Sequence, residues 1–81
     1  MWYTYILKSK LKDRYYIGHT YDLEKRIDEH NSGKTRSLKA YLPVALVYHE
    51  KYDTKQEAYR RERQIKSYKG GRAFKALLNL V

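Results

Sequence analysis

Two short aromatic and aliphatic runs, Trp2 to Leu7 and Arg14 to Gly18, flank the polar stretch Lys8-Ser9-Lys10-Leu11-Lys12-Asp13. The pattern reads as strand, turn and strand, an opening β-hairpin. Alternation puts Tyr3, Tyr5 and Leu7 on one face of the first strand, and turns Tyr16 of the second away from the side of Tyr15 and Ile17. Tyrosines therefore occupy both faces of the sheet.

Beyond the hairpin the chain alternates between helical and extended character. Asp22 suits a helix cap, and Leu23, Ile27 and His30 fall on one stripe of a first helix that the cluster Asn31-Ser32-Gly33 ends. Gly33 to Pro43 reads as a basic loop, and Val44 to His49 as a third strand. Asp53 or Thr54 can cap a second helix running to about Tyr68, where Gly70-Gly71 breaks it, and Arg72 to Leu80 reads as a short closing helix. No repeat, linker or low-complexity segment interrupts residues 1–81, so the expectation is one small α/β (α+β) domain of order β-β-α-β-α-α. Its three-stranded, mostly antiparallel sheet should be flanked by helices.

Such a chain has room for one thin core, since a domain of about 60 residues buries only about 60% of the surface its unfolded form exposes. Ten of its twelve aromatic residues are tyrosine, which fills volume while leaving a hydroxyl at the core edge or in a cleft. Lysine and arginine number 18 against 9 acidic residues, a formal net charge of +9, and a polyanion is the natural partner. The absence of cysteine excludes a disulfide framework, a thiolate nucleophile and a zinc ribbon. With no basic n-region before an apolar h-region and no run of about 18 apolar residues, neither a signal peptide nor a membrane span is expected, and the expected location is the cytoplasm.

Glu62 stands out on the second long helix. Ala58 and Ile65 define its apolar stripe, and Glu62 lies only about 40° around the wheel from Ala58 at about 100° per residue. A carboxylate at a core seam is either tied to a basic neighbour such as Lys66 or placed to hold a metal, because an unpaired buried charge is costly. Mg²⁺ takes oxygen ligands and keeps several waters, so one carboxylate can suffice. Arg26 and His30, four apart on the first helix, border the sheet; a guanidinium grips phosphate bidentately and an imidazole donates to phosphate or relays a proton. Tyr16 can serve as a base only where cations favour its phenolate, and Gly18 allows close backbone approach at the strand end. His19 could touch substrate. Lys34, Arg36 and Lys39 in the basic loop, and Lys69, Arg72 and Lys75 in the tail, suit phosphate contacts.

Together, Tyr3-Thr4-Tyr5, Tyr16-Ile17-Gly18, Arg26, His30 and Glu62 resemble the GIY-YIG nuclease superfamily, specifically its small stand-alone bacterial members. The likeness extends through Asp22-Leu23-Glu24-Lys25-Arg26, His30-Asn31-Ser32-Gly33-Lys34 and Glu57-Ala58-Tyr59-Arg60-Arg61-Glu62, and covers nearly the whole chain. It implies metal-dependent phosphodiester cleavage like that of the excision-repair incision subunit and the homing endonucleases. Carried over, Tyr16 matches the tyrosine proposed as general base, Tyr5 the tyrosine ending the first motif, Arg26 the charge-stabilising arginine and Glu62 the metal-binding glutamate. His30 matches a histidine or tyrosine that orients or deprotonates water. The first motif departs from the family as Tyr-Thr-Tyr rather than Gly-Ile-Tyr, and His19 stands where some relatives have lysine. The late asparagine of longer members has no secure counterpart, Asn79 lying in an apolar tail.

The expectation is therefore an endonuclease using one Mg²⁺ or Mn²⁺ ion on nucleic acid, with DNA the favoured substrate. The rival reading is a non-catalytic basic nucleic-acid-binding module on the same scaffold. A third is a protein-interaction domain whose charge serves solubility.

Overall fold

A computed structural model describes residues 1–80. The elements run β1 (Trp2–Ser9), β2 (Tyr15–Thr20), α1 (Leu23–Asn31), a 3-10 helix (Arg36–Tyr41), β3 (Val44–Tyr52), α2 (Lys55–Ser67) and α3 (Arg72–Leu77). The three strands form one antiparallel sheet of order β2-β1-β3. This is the expected α+β arrangement and element order. The strands run further than the apolar pattern implied: β1 continues to Ser9, β2 to Thr20 and β3 to Tyr52. Backbone pairing carries a ladder past the last apolar residue.

The basic stretch expected as loop instead contains the 3-10 helix, because Leu38 within it is buried while its neighbours face solvent. One apolar side chain among cations leaves no periodicity to read. The hairpin turn is tied to this segment through Ser9, whose hydroxyl donates to the Tyr41 carbonyl at 2.6 Å and accepts from the N–H groups of Leu11 and Lys12, each at 3.1 Å.

Both long helices are capped as the sequence implies. Asp22 accepts from the Lys25 N–H, and Thr54, rather than Asp53, accepts from the Glu57 N–H. At the other end of α1 the Asn31 side chain donates to the Val44 carbonyl at 3.1 Å and accepts from the Val44 N–H at 2.8 Å. That pair of bonds fixes the helix end against the first residue of β3.

Alternation along β1 divides the core in two. Tyr5 and Leu7 pack with Val44 beneath Leu23 and Ile27 of α1, while Ile6 packs with Ile65 of α2 and Phe74 of α3 on the opposite face. Ile6, Leu7 and Ile65 are fully buried, each stabilising the fold by about 1.5–3 kcal/mol. Thr4 is buried too, its hydroxyl donating to the Ala58 carbonyl at 2.7 Å. A small β-branched residue between two tyrosines thus brings α2 close to the sheet. Glu50 fastens β3 to α2 as well, accepting from Arg61 Nε at 2.9 Å and from the Tyr48 and Tyr52 hydroxyls. Burial alone would raise the Glu50 carboxyl, but the Arg61 and tyrosine hydrogen bonds outweigh it and hold it below its usual range. Among the described residues no helix is long and apolar enough to cross a membrane.

Candidate active site

Tyr5 sits on the central strand directly opposite Gly18 of the edge strand. Its ring lies over that glycine so closely that a Cβ there would stand 2.5 Å from the Tyr5 hydroxyl oxygen. The missing side chain gives the phenol a place across β2.

From α1 the buried His30 reaches the same point, its Nε2 3.0 Å from the Tyr5 hydroxyl. Its other ring nitrogen, Nδ1, is 2.6 Å from the Thr35 hydroxyl, which leads into the 3-10 helix. Both nitrogens are therefore engaged, and the imidazole bridges Tyr5 to Thr35. Tyr16 completes the group, stacked on Tyr5 with ring centroids 6.4 Å apart and edge-on to His30 at 4.9 Å. Tyr5 and His30 are fully buried whereas Tyr16 is half-buried.

Burial pushes the Tyr5 hydroxyl up to about 12; Arg26 close by offsets part of the rise, while Tyr16 and Glu62 add to it. Tyr5 is thus a neutral phenol. Burial, and after it the positive charge of Arg26, hold the His30 imidazole below its ordinary 6.5. It is thus a neutral base at neutral pH. Arg26 itself is half-exposed and pairs loosely with Glu29 at 3.4 Å, a contact of little energetic weight at this exposure.

Glu62 approaches from α2 on the other face. Its carboxylate meets His19 Nδ1 at 2.7 Å and Lys66 Nζ at 2.8 Å. Both partnerships expected of a seam carboxylate are thus open, since a basic neighbour is present but the Lys66 side chain is 54% exposed and free to leave. The two faces meet at the β2 edge, where one groove is fronted by Arg26 from the α1 side and by His19 and Lys55 from the α2 side. Among the described residues no group of three or more His, Asp or Glu side chains is arranged to hold a metal. A cation here would have the Glu62 carboxylate, with His19 the nearest further donor.

The five side chains singled out in sequence are therefore arranged as a hydrogen-bonded and stacked trio, Tyr5, Tyr16 and His30, with Arg26 beside it and Glu62 reached around the strand edge. The basic residues do not assemble in the same way. Lys34, Arg36 and Lys39 lie on the α1 side, and Lys69 and Arg72 are exposed on the α2–α3 side, where α3 packs through Phe74. They form two separate surfaces. One residue that sequence reasoning missed matters here: Thr35, which fixes the second nitrogen of His30. Its only signal was a polar hydroxyl five residues after a stripe histidine, which is too common to single out.

Comparison with known proteins gives a consistent picture. Residues 1–73 match the family of the GIY-YIG catalytic domain. UPF0213 protein SSP2268 of Staphylococcus saprophyticus is 46% identical over 67 residues, covering 82% of this chain and 80% of that protein. The UPF0213 protein of Bacillus pumilus is 43% identical over 67 residues, 82% of this chain and 67% of its own length. Among solved structures, the solution NMR structure of UPF0213 protein BH0048 from Bacillus halodurans is similar with a TM-score of 0.60 and 34% identity, over 99% of this chain and 85% of that one.

Proposed function

The chain belongs to the GIY-YIG family, among its UPF0213 proteins, a membership that implies nuclease-type activity, and from that premise we propose a metal-dependent endonuclease hydrolysing phosphodiester bonds in DNA. The observation carrying this reading is the buried Tyr5–His30 hydrogen bond with Tyr16 stacked beside it. Two phenols and an imidazole meet here beside the apolar cluster of Leu7 and Val44.

Tyr16, the half-buried phenol, is the group that meets the attacking water. His30 cannot, since both of its nitrogens are occupied; it acts through Tyr5, fixing that hydroxyl by the hydrogen bond at Nε2. This differs from a histidine that deprotonates water directly. Arg26, beside Tyr5 and open to the groove, grips the scissile phosphate and stabilises charge as it develops.

Glu62 suits a hard divalent cation, Mg²⁺ or Mn²⁺, because it offers carboxylate oxygens behind His19 while Lys66, its exposed partner, can be displaced. When bound, such an ion supplies electrophilic stabilisation of the departing oxygen. His19 orients the carboxylate through the bond at Oε1.

A second reading, a nucleic-acid-binding module without hydrolysis, is favoured by one observation: both Glu62 oxygens already have donor partners, as in a purely structural ion pair. A labelled-oligonucleotide assay in Mg²⁺ or Mn²⁺ separates the two. The expected result is cleavage that falls at least about 100-fold in Tyr16→Phe and Glu62→Ala. Cleavage persisting in Glu62→Ala would point to a contaminant, and its absence from single-stranded, duplex and branched substrates alike would leave the binding module.

A further inference from the structure

Four rings make a chain of contacts, Tyr21 against Trp2, Trp2 against His19, and His19 against Tyr59, with centroids 5.5, 6.1 and 5.4 Å apart; the first three line the groove, and Tyr59 lines the adjoining hollow that shares His19 and Lys55 with it. The two outer rings are solvent-facing, Tyr21 being 63% and Tyr59 44% exposed. Neither fills the core. Cations line the row, with Lys55 Nζ 5.6 Å from the Trp2 ring and Arg63 Cζ 5.8 Å from the Tyr59 ring. The groove, of ≈ 420 Å³, also holds Lys25 and Arg26, and its size falls in the range of sites that take one nucleotide-sized ligand. Of its two carboxylates, Asp22 caps α1 and Glu29 pairs loosely with Arg26, against three cations in the same lining, Lys25, Arg26 and Lys55.

Exposed aromatic rings interleaved with lysine and arginine are the composition of a surface that stacks nucleobases while tracking a phosphate backbone. Paired bases in a duplex have their faces covered by their neighbours; only unpaired bases can be splayed onto such rings. From this row we infer that the Tyr21–Trp2–His19–Tyr59 shelf binds the unpaired bases of a single-stranded segment, and that Lys55, Lys25 and Arg26 take its phosphates. The inference rests on the nuclease reading above and deepens it, since it names strandedness as the property the site selects.

Trp2 is the sole tryptophan, so its emission reports stacking at the shelf directly. Titrating the whole chain in EDTA, where hydrolysis is blocked, with a short oligothymidylate should quench Trp2 emission, whereas a blunt duplex of the same strand length should quench it little. Tyr59→Ala and Tyr21→Ala should each weaken oligothymidylate binding about tenfold and duplex binding hardly at all. Tyr59→Phe, which keeps the ring, should bind as the natural chain does. Equal quenching by both probes, or equal weakening of both in the alanine variants, would overturn the shelf. Because the measurement contains no cleavage, stacking observed with a chain that hydrolyses nothing would sink the nuclease reading while supporting the shelf.

Discussion

The hydroxyl of Tyr5 occupies the space that the side chain of Gly18 would fill. The two residues are cross-strand partners, and an added Cβ would stand 2.5 Å from the Tyr5 oxygen and 2.7 Å from Cζ. Since Tyr5 is fully buried and bonded to His30, its ring cannot swing aside freely. Gly18→Ala should therefore cost about 1–3 kcal/mol of stability and break the Tyr5–His30 bond. Denaturant melts give the first, and the second should show as lost cleavage at temperatures where the variant is still folded. A variant with natural stability and activity would show that the ring has room the structure does not provide.

Stability should be flat across the neutral range and fall on either side. Burial pushes Tyr5 up to about 12 from its ordinary 10.0, and burial and Glu50 push Tyr52 up likewise, so their contributions are whole below pH 10 and are lost as pH climbs from 10 through 12, where the unfolded chain loses its protons first. His30 is held below its ordinary 6.5, so its contribution is whole above 6.5 and is lost as pH falls beneath that value, where the unfolded chain takes up a proton first. Glu50, held below its ordinary 4.5, adds a further loss in more acidic solution. Melting temperature against pH checks all three, and replacing His30 with glutamine should remove the step near 6.5.

Thr35→Val keeps side-chain shape but removes the partner of His30 Nδ1. The expected cost is about 1 kcal/mol of stability. Cleavage should slow through kcat with KM unchanged, because Thr35 sits behind the imidazole and away from the groove. A change confined to KM would instead place Thr35 at the substrate.

Lys66→Met tests where the cation binds. Removing the ammonium 2.8 Å from Glu62 Oε2 relieves the competition at the carboxylate, so Mn²⁺ affinity measured by calorimetry should rise several-fold, while stability changes by about 1 kcal/mol or less. Unchanged affinity would locate the ion away from Glu62.

The elements that could be read in the chain were those whose signal is local. The stripe Leu23, Ile27 and His30 comes from helical periodicity, and it turned a histidine inward; Ala58, Glu62 and Ile65 come from the same rule, and Glu62 is buried at the seam as its position implies. Alternation placed Tyr5 and Tyr16 correctly within their strands. What could not be read is which long-range partner each polar group finds. Nothing in the spacing of His19 and Glu62, 43 residues apart, foretells their contact. Nor does spacing show that Trp2 and Tyr59 flank the same histidine. The 3-10 helix was equally hidden, since a single buried Leu38 stabilises it by packing rather than by propensity.

β1 lies between its two neighbours, paired with β2 from Tyr3 to Lys8 and with β3 from Trp2 to Ser9 apart from a register shift between Ile6 and Leu7, and Tyr5 is set in its middle. Amide hydrogens in that stretch should be among the slowest to exchange, opening only when the whole chain unfolds. The phenol that holds His30 is thereby mounted on the last piece of the molecule to yield to heat, so inactivation on warming should track global melting rather than precede it.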